Sequence, residues 1–202
     1  MGEMTISDLY DKLLSDKEFQ DPATGNLFFP AYIYTYDPEF EYDIREQILD
    51  LKPRLKRPNN FVDTLILNVF DEFINFLSSE TLGDETVLEL ILQQDIDNSL
   101  PEHILKLLID KANSLEFFEF INKKALKHFK EPSKLKKVYL MLYGFGSIFP
   151  FLRTSSYLKN FEQNVKDYKL IAFFPGYYKN QNYHLFNEFH DENIYRATLI
   201  NP

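Results

Sequence analysis

A chain of 202 residues with 45% hydrophobic and 26% charged side chains has material for one buried core and little room for a second. The formal charge of −9 argues against a general affinity for nucleic acid or anionic lipid, whose binding draws on surplus Lys and Arg. Cysteine is absent, which excludes disulfides, thiolate metal sites and a thiol nucleophile and agrees with a reducing cytoplasm.

Ile6, Leu9, Tyr10, Leu13 and Leu14 recur at spacings of three and four behind Thr5 and Ser7, which predicts a short amphipathic helix packed outside the core. Residues 16–30 read as loop, so 1–30 are expected to form a peripheral helix and loop on a single α/β domain spanning 1–202. Residues 31–36 form a strand bounded by Pro30 and Pro38. Asp37 then suits an N-cap, Pro38 the first helical position, and Phe40, Ile44, Ile48 and Leu51 the inner face of a helix running toward Pro53. A second buried strand at 64–69 leads at once into a helix with Phe73, Ile74, Phe76 and Leu77 inward. From 86 to 130 the pattern is helical, in stretches 87–96, 101–113 and 115–130. A third strand follows at 138–143, then a helix opened by Thr154 with Leu158, Phe161 and Val165 inward, then a fourth strand at 170–174 stopped by Pro175 and Gly176. Polar turns at 179–182 and 191–193 surround a final strand at 194–200, expected at an antiparallel edge. Short apolar strands alternating with helices predict an α/β fold whose mostly parallel central sheet is flanked by helices. The layout is similar to a P-loop-like nucleotide-binding domain lacking the phosphate loop.

That loop is missing for chemical reasons. After the first strand the chain reads Tyr36, Asp37, Pro38, Glu39, with no glycine to let backbone approach a phosphate, no lysine to neutralise one and two carboxylates to repel it. Gly144 and Gly146 do not complete a dinucleotide fingerprint, and Ser147 lacks the glycines of a nucleophile elbow. His103, His128, His184 and His190 are scattered, and the carboxylate-x-lysine pairs Asp50/Lys52 and Asp167/Lys169 are fragments a charged chain produces by chance. No catalytic residue, cofactor or metal site is therefore assigned. The longest uncharged run, 138–152, is interrupted by glycines and a proline and falls short of the roughly 18 apolar residues that suggest a membrane span, so a cytoplasmic protein without membrane contact is expected.

Charge is distributed unevenly. Lys123, Lys124, Lys127, Lys130, Lys134, Lys136 and Lys137 are opposed by Glu131 alone, so this segment carries +6 and the rest of the chain −15. A second basic cluster comprises Lys52, Arg54, Lys56 and Arg57. Both follow helix ends, where the macrodipole favours cations. The lysine run is also a candidate partner-docking patch, joined by rings such as Phe117, Phe118 or Tyr139.

Three motifs in the second half resemble one family. Residues 143–153, with Gly144, Gly146, Pro150 and Arg153, resemble its glycine, Pro-Leu and Arg signature. Residues 173–177, with Pro175 and Gly176, resemble its strand-ending PG motif. Leu185-Phe186 and residues 191–197, with Asn193, Tyr195 and Arg196, resemble its closing LF and NYYRA pattern, Ile194 standing where a Tyr is usual. Residues 62–77 also resemble its first-half strand and helix. The chain is thus similar to the BrxB family of bacterial BREX phage-exclusion systems. The resemblance implies a small cytoplasmic subunit encoded beside a DNA methyltransferase, a large ATPase and the alkaline-phosphatase-superfamily protein PglZ. It implies a noncatalytic bridging role in phage exclusion and host DNA methylation, with PglZ the foremost partner; the motif glycines and prolines read as structural residues at strand exits, and no cofactor is assigned. Two competing classes are a cryptic metal-dependent nuclease or nucleotide hydrolase, which would need Asp37, Asp71 or Asp167 to meet another acid and a lysine in one pocket, and a DNA-binding module using the lysine run, a use its poverty in Arg and interleaved rings disfavours.

Overall fold

Five parallel strands make the centre of the computed structural model, which describes residues 5–15, 31–56, 62–94, 100–130, 137–164, 168–180, 182–191 and 197–200. The strands are β1 (Ala31–Tyr36), β2 (Val62–Asn68), β5 (Lys137–Tyr143), β6 (Lys169–Lys179) and β9 (Thr198–Leu199), in spatial order β2-β5-β6-β1-β9. Register is continuous, with Ala31 opposite Leu170, Leu140 opposite Leu170 and Leu65 opposite Leu140. The α/β fold with a mostly parallel sheet is thus the one expected.

Alternation along the strands divides the core in two. Ala31, Ile33, Leu140, Leu142, Leu170, Ala172 and Phe174 face one side. Tyr32, Tyr34, Tyr36, Tyr139, Met141, Ile171 and Phe173 face the other. The first side is covered by α3 (Val69–Ser79), α4 (Val87–Leu92), α5 (Glu102–Ala112), α6 (Leu115–Lys130), α7 (Phe145–Ile148) and α8 (Thr154–Asn164). The tyrosine-rich side is covered by α1 (Ile6–Ser15) and α2 (Glu41–Leu55). Rings dominate as the composition suggested, since eleven of the twelve largest fully buried side chains named among the described residues are Phe or Tyr, the twelfth being Lys169.

Local signals explain most boundaries. The Asp37 side chain accepts from the Glu39 amide at 3.1 Å, and Pro38 opens a 3-10 turn, Pro38–Phe40, that feeds α2. The Asn68 carboxamide accepts from the Phe70 amide at 3.0 Å and starts α3 directly from β2, so Val69 belongs to the helix. Helix α2 passes Pro53 and ends at Leu55.

The structure corrects four expectations. Helix α1 does not lie outside the core, because Ile6, Leu9 and Leu13 are buried against the tyrosine-rich face. Phe40 is 53% exposed and not part of the inner face of α2. Strand β6 does not stop at Pro175 and Gly176 but runs on to Lys179 and turns back through β7 (Asn182–Leu185) and β8 (Phe189–Asp191) as an antiparallel meander. Proline is tolerated there because β5 pairs with β6 only as far as Ala172, and the antiparallel ladder with β7 begins at Gly176. The short strand β9 pairs parallel with β1, not antiparallel, while residues 192–196 lie outside the described residues. A small hairpin, β3 (Thr81–Leu82) and β4 (Glu85–Thr86), leads into α4 just ahead of the helical stretch.

Candidate functional site at the carboxyl edge of the sheet

Chain direction reverses beside β1 and β6. Helix α2 leaves β1 over one face toward the β2 edge, whereas the continuation of β6 packs Tyr183 and Leu185 on the opposite face before the chain reaches β9. Sites in open α/β sheets form at such switch points, beyond the carboxyl ends of the strands. Here that edge gathers the motif residues.

Gly144 follows β5 with φ of 85°, and a Cβ there would stand 2.1 Å from the Asn68 Oδ1 that caps α3. Only glycine lets the two strand ends sit side by side. A Cβ on Gly146 would meet the Phe186 ring at 2.8 Å and Pro175 Cγ at 3.1 Å, so the glycine, PG and LF motifs are one packing unit. Gly176 has φ of 149° and its missing Cβ faces the His184 carbonyl oxygen at 1.9 Å, at the point where β6 passes into the meander. The Phe186 amide donates to the Pro175 carbonyl at 2.9 Å. Pro150 follows Phe149 through a cis peptide bond, and Phe149 packs on Phe186 and on Phe189 at centroid distances of 6.3 and 5.0 Å. Exposed Arg153 lies before α8, where its carbonyl accepts from the Ser156 and Tyr157 amides.

Phe145, Phe149, Leu152, Arg153, Phe174 and Phe189 line a shallow cleft between α7 and the meander. It presents rings with one guanidinium, chemistry suited to an apolar side chain. The meander carries exposed Tyr177, Tyr178 and Phe189, with Tyr177 stacked on His184 at 4.7 Å. Burial raises the Tyr183 hydroxyl pKa, with the Tyr178 hydroxyl adding to the effect. Motif positions Asn193, Tyr195 and Arg196 lie outside the described residues.

A polar group sits nearby, at the ends of β1 and β5. The Tyr36 hydroxyl donates to Glu41, and burial together with that carboxylate raises the Tyr36 pKa far above its usual value. The Arg45 guanidinium lies over the Tyr143 ring at 5.4 Å. Burial raises the Tyr143 pKa, opposed by Arg45 and reinforced by Asp71 and Glu41.

The lysine run is less uniform than its sequence. Lys123 and Lys127 are exposed; Lys124 pairs with buried Glu72, and Lys123 approaches Glu119 at 3.8 Å. Lys134 and Lys136 lie outside the described residues, as do the side chains of Lys130 and Lys137. Phe117, Phe118 and Tyr139 are not available to a partner. All three are buried, Phe117 against Phe73 and Phe118 against Tyr157, because α6 is packed by α3 and α8 at once and Tyr139 lies in a central strand beneath the helices of the tyrosine-rich face.

Of the carboxylates that the nuclease reading needs, Asp37 caps the 3-10 turn, Asp71 stands near Tyr143 and Asp167 lies outside the described residues. Among the described residues no three His, Asp or Glu side chains gather as a metal site would require. Sequence reading missed one cluster, in which buried Asp63 accepts from Lys56 at 3.2 Å and meets His128 Nε2 at 3.1 Å. His128 is 65 residues from Asp63 in the chain, and an acid inside an apolar strand was the available clue. No described helix is long and apolar enough to cross a membrane.

Comparison with known proteins agrees with the motifs. The family described as BREX protein BrxB matches residues 65–200, which hold the three motifs, and the chain belongs to this family. BREX protein BrxB of Bacillus cereus (strain H3081.97) is 28% identical over 210 aligned positions, covering 95% of each chain. BREX protein BrxB of Escherichia coli O9:H4 (strain HS) is 24% identical over 200, covering 99% of this chain and 92% of the relative. No solved structure gives a significant match. The protein is accordingly a component of a bacterial BREX system.

Proposed function

We propose that the chain is a noncatalytic, cytoplasmic interaction subunit that bridges other BREX proteins, PglZ foremost, and so assists phage exclusion and host DNA methylation. The observation that carries this reading is the use of the motif residues. Gly146, Pro175, Gly176 and Phe186 pack a meander onto the sheet edge, which carries Tyr177, Tyr178 and Phe189 toward solvent, and Gly144 fits the neighbouring strand end against Asn68. Exposed rings on a rigid support suit protein recognition, and Lys123 and Lys127 add a cationic surface elsewhere that can steer a partner of opposite charge.

Co-purification from the native operon, with each neighbouring gene deleted in turn, tests the proposal. The chain is expected to retain a BREX partner until the gene for that partner is removed. The double variant Tyr177→Ser with Tyr178→Ser should weaken retention, since aromatic anchors carry much of an interface. The triple variant Lys127→Glu, Lys130→Glu, Lys134→Glu should slow association and leave thermal stability nearly unchanged. Wild-type retention by both variants would remove these surfaces from the interface. Retention of no BREX protein by the wild-type chain would refute the subunit reading.

A further inference from the structure

Helix α2 has two faces of unlike use. Ile48, Leu51 and Leu55 are buried in the core, and the opposite face presents Tyr42, Asp43, Glu46, Leu49 and Asp50 at helical spacing, with Glu39 and Phe40 just ahead. Tyr42 is 80% exposed and Leu49 49%, so apolar side chains stand in water among carboxylates. Solvation of the helix does not require them there.

Charge along this face is compensated only at its end, at Asp50. Arg45 is the one cation between residues 31 and 51, and it is turned over the Tyr143 ring. Asp50 approaches Arg54 at 3.9 Å, while Glu39, Asp43 and Glu46 have no cationic partner among the described residues. The helix dipole favours Asp43 in the first turn, but Glu46 and Asp50 lie beyond its reach. Like charges three and four residues apart work against a helix, so the stripe is not explained by folding.

We propose that the outer face of α2, with the turn before it, docks a Lys- and Arg-rich segment of another protein. Charge complementarity selects this occupant. Carboxylates steer and pair the cations, and the rings of Tyr42 and Phe40 accept their aliphatic stems and charged heads. The face lies apart from the lysine run, since α2 begins at the carboxyl ends of the strands on the tyrosine-rich side, whereas α6 covers the opposite side and leads to the amino end of β5. A subunit with an acidic face here and a basic one there can hold two partners of opposite charge. The inference rests on the interaction-subunit reading only in that the chain works by binding proteins.

The test uses the full chain expressed from its native operon with the photoreactive residue p-benzoylphenylalanine replacing Tyr42, and with the same residue replacing exposed Leu92 as reference. Irradiation is expected to join position 42 to a different protein at a segment with surplus Lys and Arg, as mapped by mass spectrometry. Adding Glu39→Gln, Asp43→Asn and Glu46→Gln should lower that yield by about tenfold while circular dichroism stays unchanged. An adduct on a segment without cationic surplus, an adduct with a second copy of this chain, a yield indifferent to the neutralised charges, or no adduct above the Leu92 reference would overturn the proposal. If position 42 fails while the chain still co-purifies with BREX proteins, this surface is wrong and the subunit reading stands. If it co-purifies with none, both fall.

Discussion

Gly176 and Gly83 both have positive φ, yet their surroundings make them unequal. A Cβ at Gly83 meets nothing within 4 Å, so Gly83→Ala should cost about 1 kcal/mol, the ordinary penalty of a left-handed alanine. Gly176→Ala adds overlap with a backbone oxygen to an unfavourable φ and should cost about 3 kcal/mol or more. Urea denaturation of the two variants checks the contrast, and equal losses would show that the meander yields easily. At this scale the sequence was readable wherever a residue acts on its own neighbours, as Asp37 and Pro38 do. It was unreadable where partners are distant. Nothing in the local text near Asp63 announces His128, and the consecutive rings of Phe117 and Phe118 do not reveal a helix packed by two others.

Helix α4 has six residues and depends on its start. Thr86 Oγ1 accepts from the Glu89 amide at 3.2 Å, and the Glu89 carboxylate accepts from the Thr86 amide at 2.8 Å. The Thr86 amide foremost, and the Thr86 hydroxyl with it, donate to the carboxylate and hold the Glu89 pKa below its ordinary value of 4.5. A depressed folded pKa means that the contribution is fully present above 4.5 and is lost as pH falls through the lower folded value. Hydrogen exchange should therefore show α4 amides losing protection selectively below pH 4.5, and Glu89→Gln should remove that dependence. An α4 profile identical in the two proteins would mean that the cap does not govern the helix. Elements with strong periodicity, such as α3 and α6, were legible in outline. The meander was not, because Pro175 and Gly176 look like a terminus unless it is known that β5 has already left the pairing.

Among the described residues the two layers are unequal, six helices against two. On the thin side α1 has a large share of the cover, so Leu9→Ala should cost about 3 kcal/mol, as for any fully buried leucine, and a loss below about 1 kcal/mol would return α1 to the periphery. Alternation of short apolar strands with helices made the parallel sheet legible, whereas the order β2-β5-β6-β1-β9 is a property of contacts that no single strand encodes. The continuous strand β6 has a mechanical meaning. It is hydrogen-bonded between β5 and β1 at the middle of the sheet and, without a break, forms one rail of the meander. A pull on the tip near Asn180 is borne in shear by the ladder to β1, many bonds loaded together, and is not peeled away one bond at a time. Tension applied at the tip therefore reaches the centre of the molecule directly, and the tip and the sheet hold or give way as one.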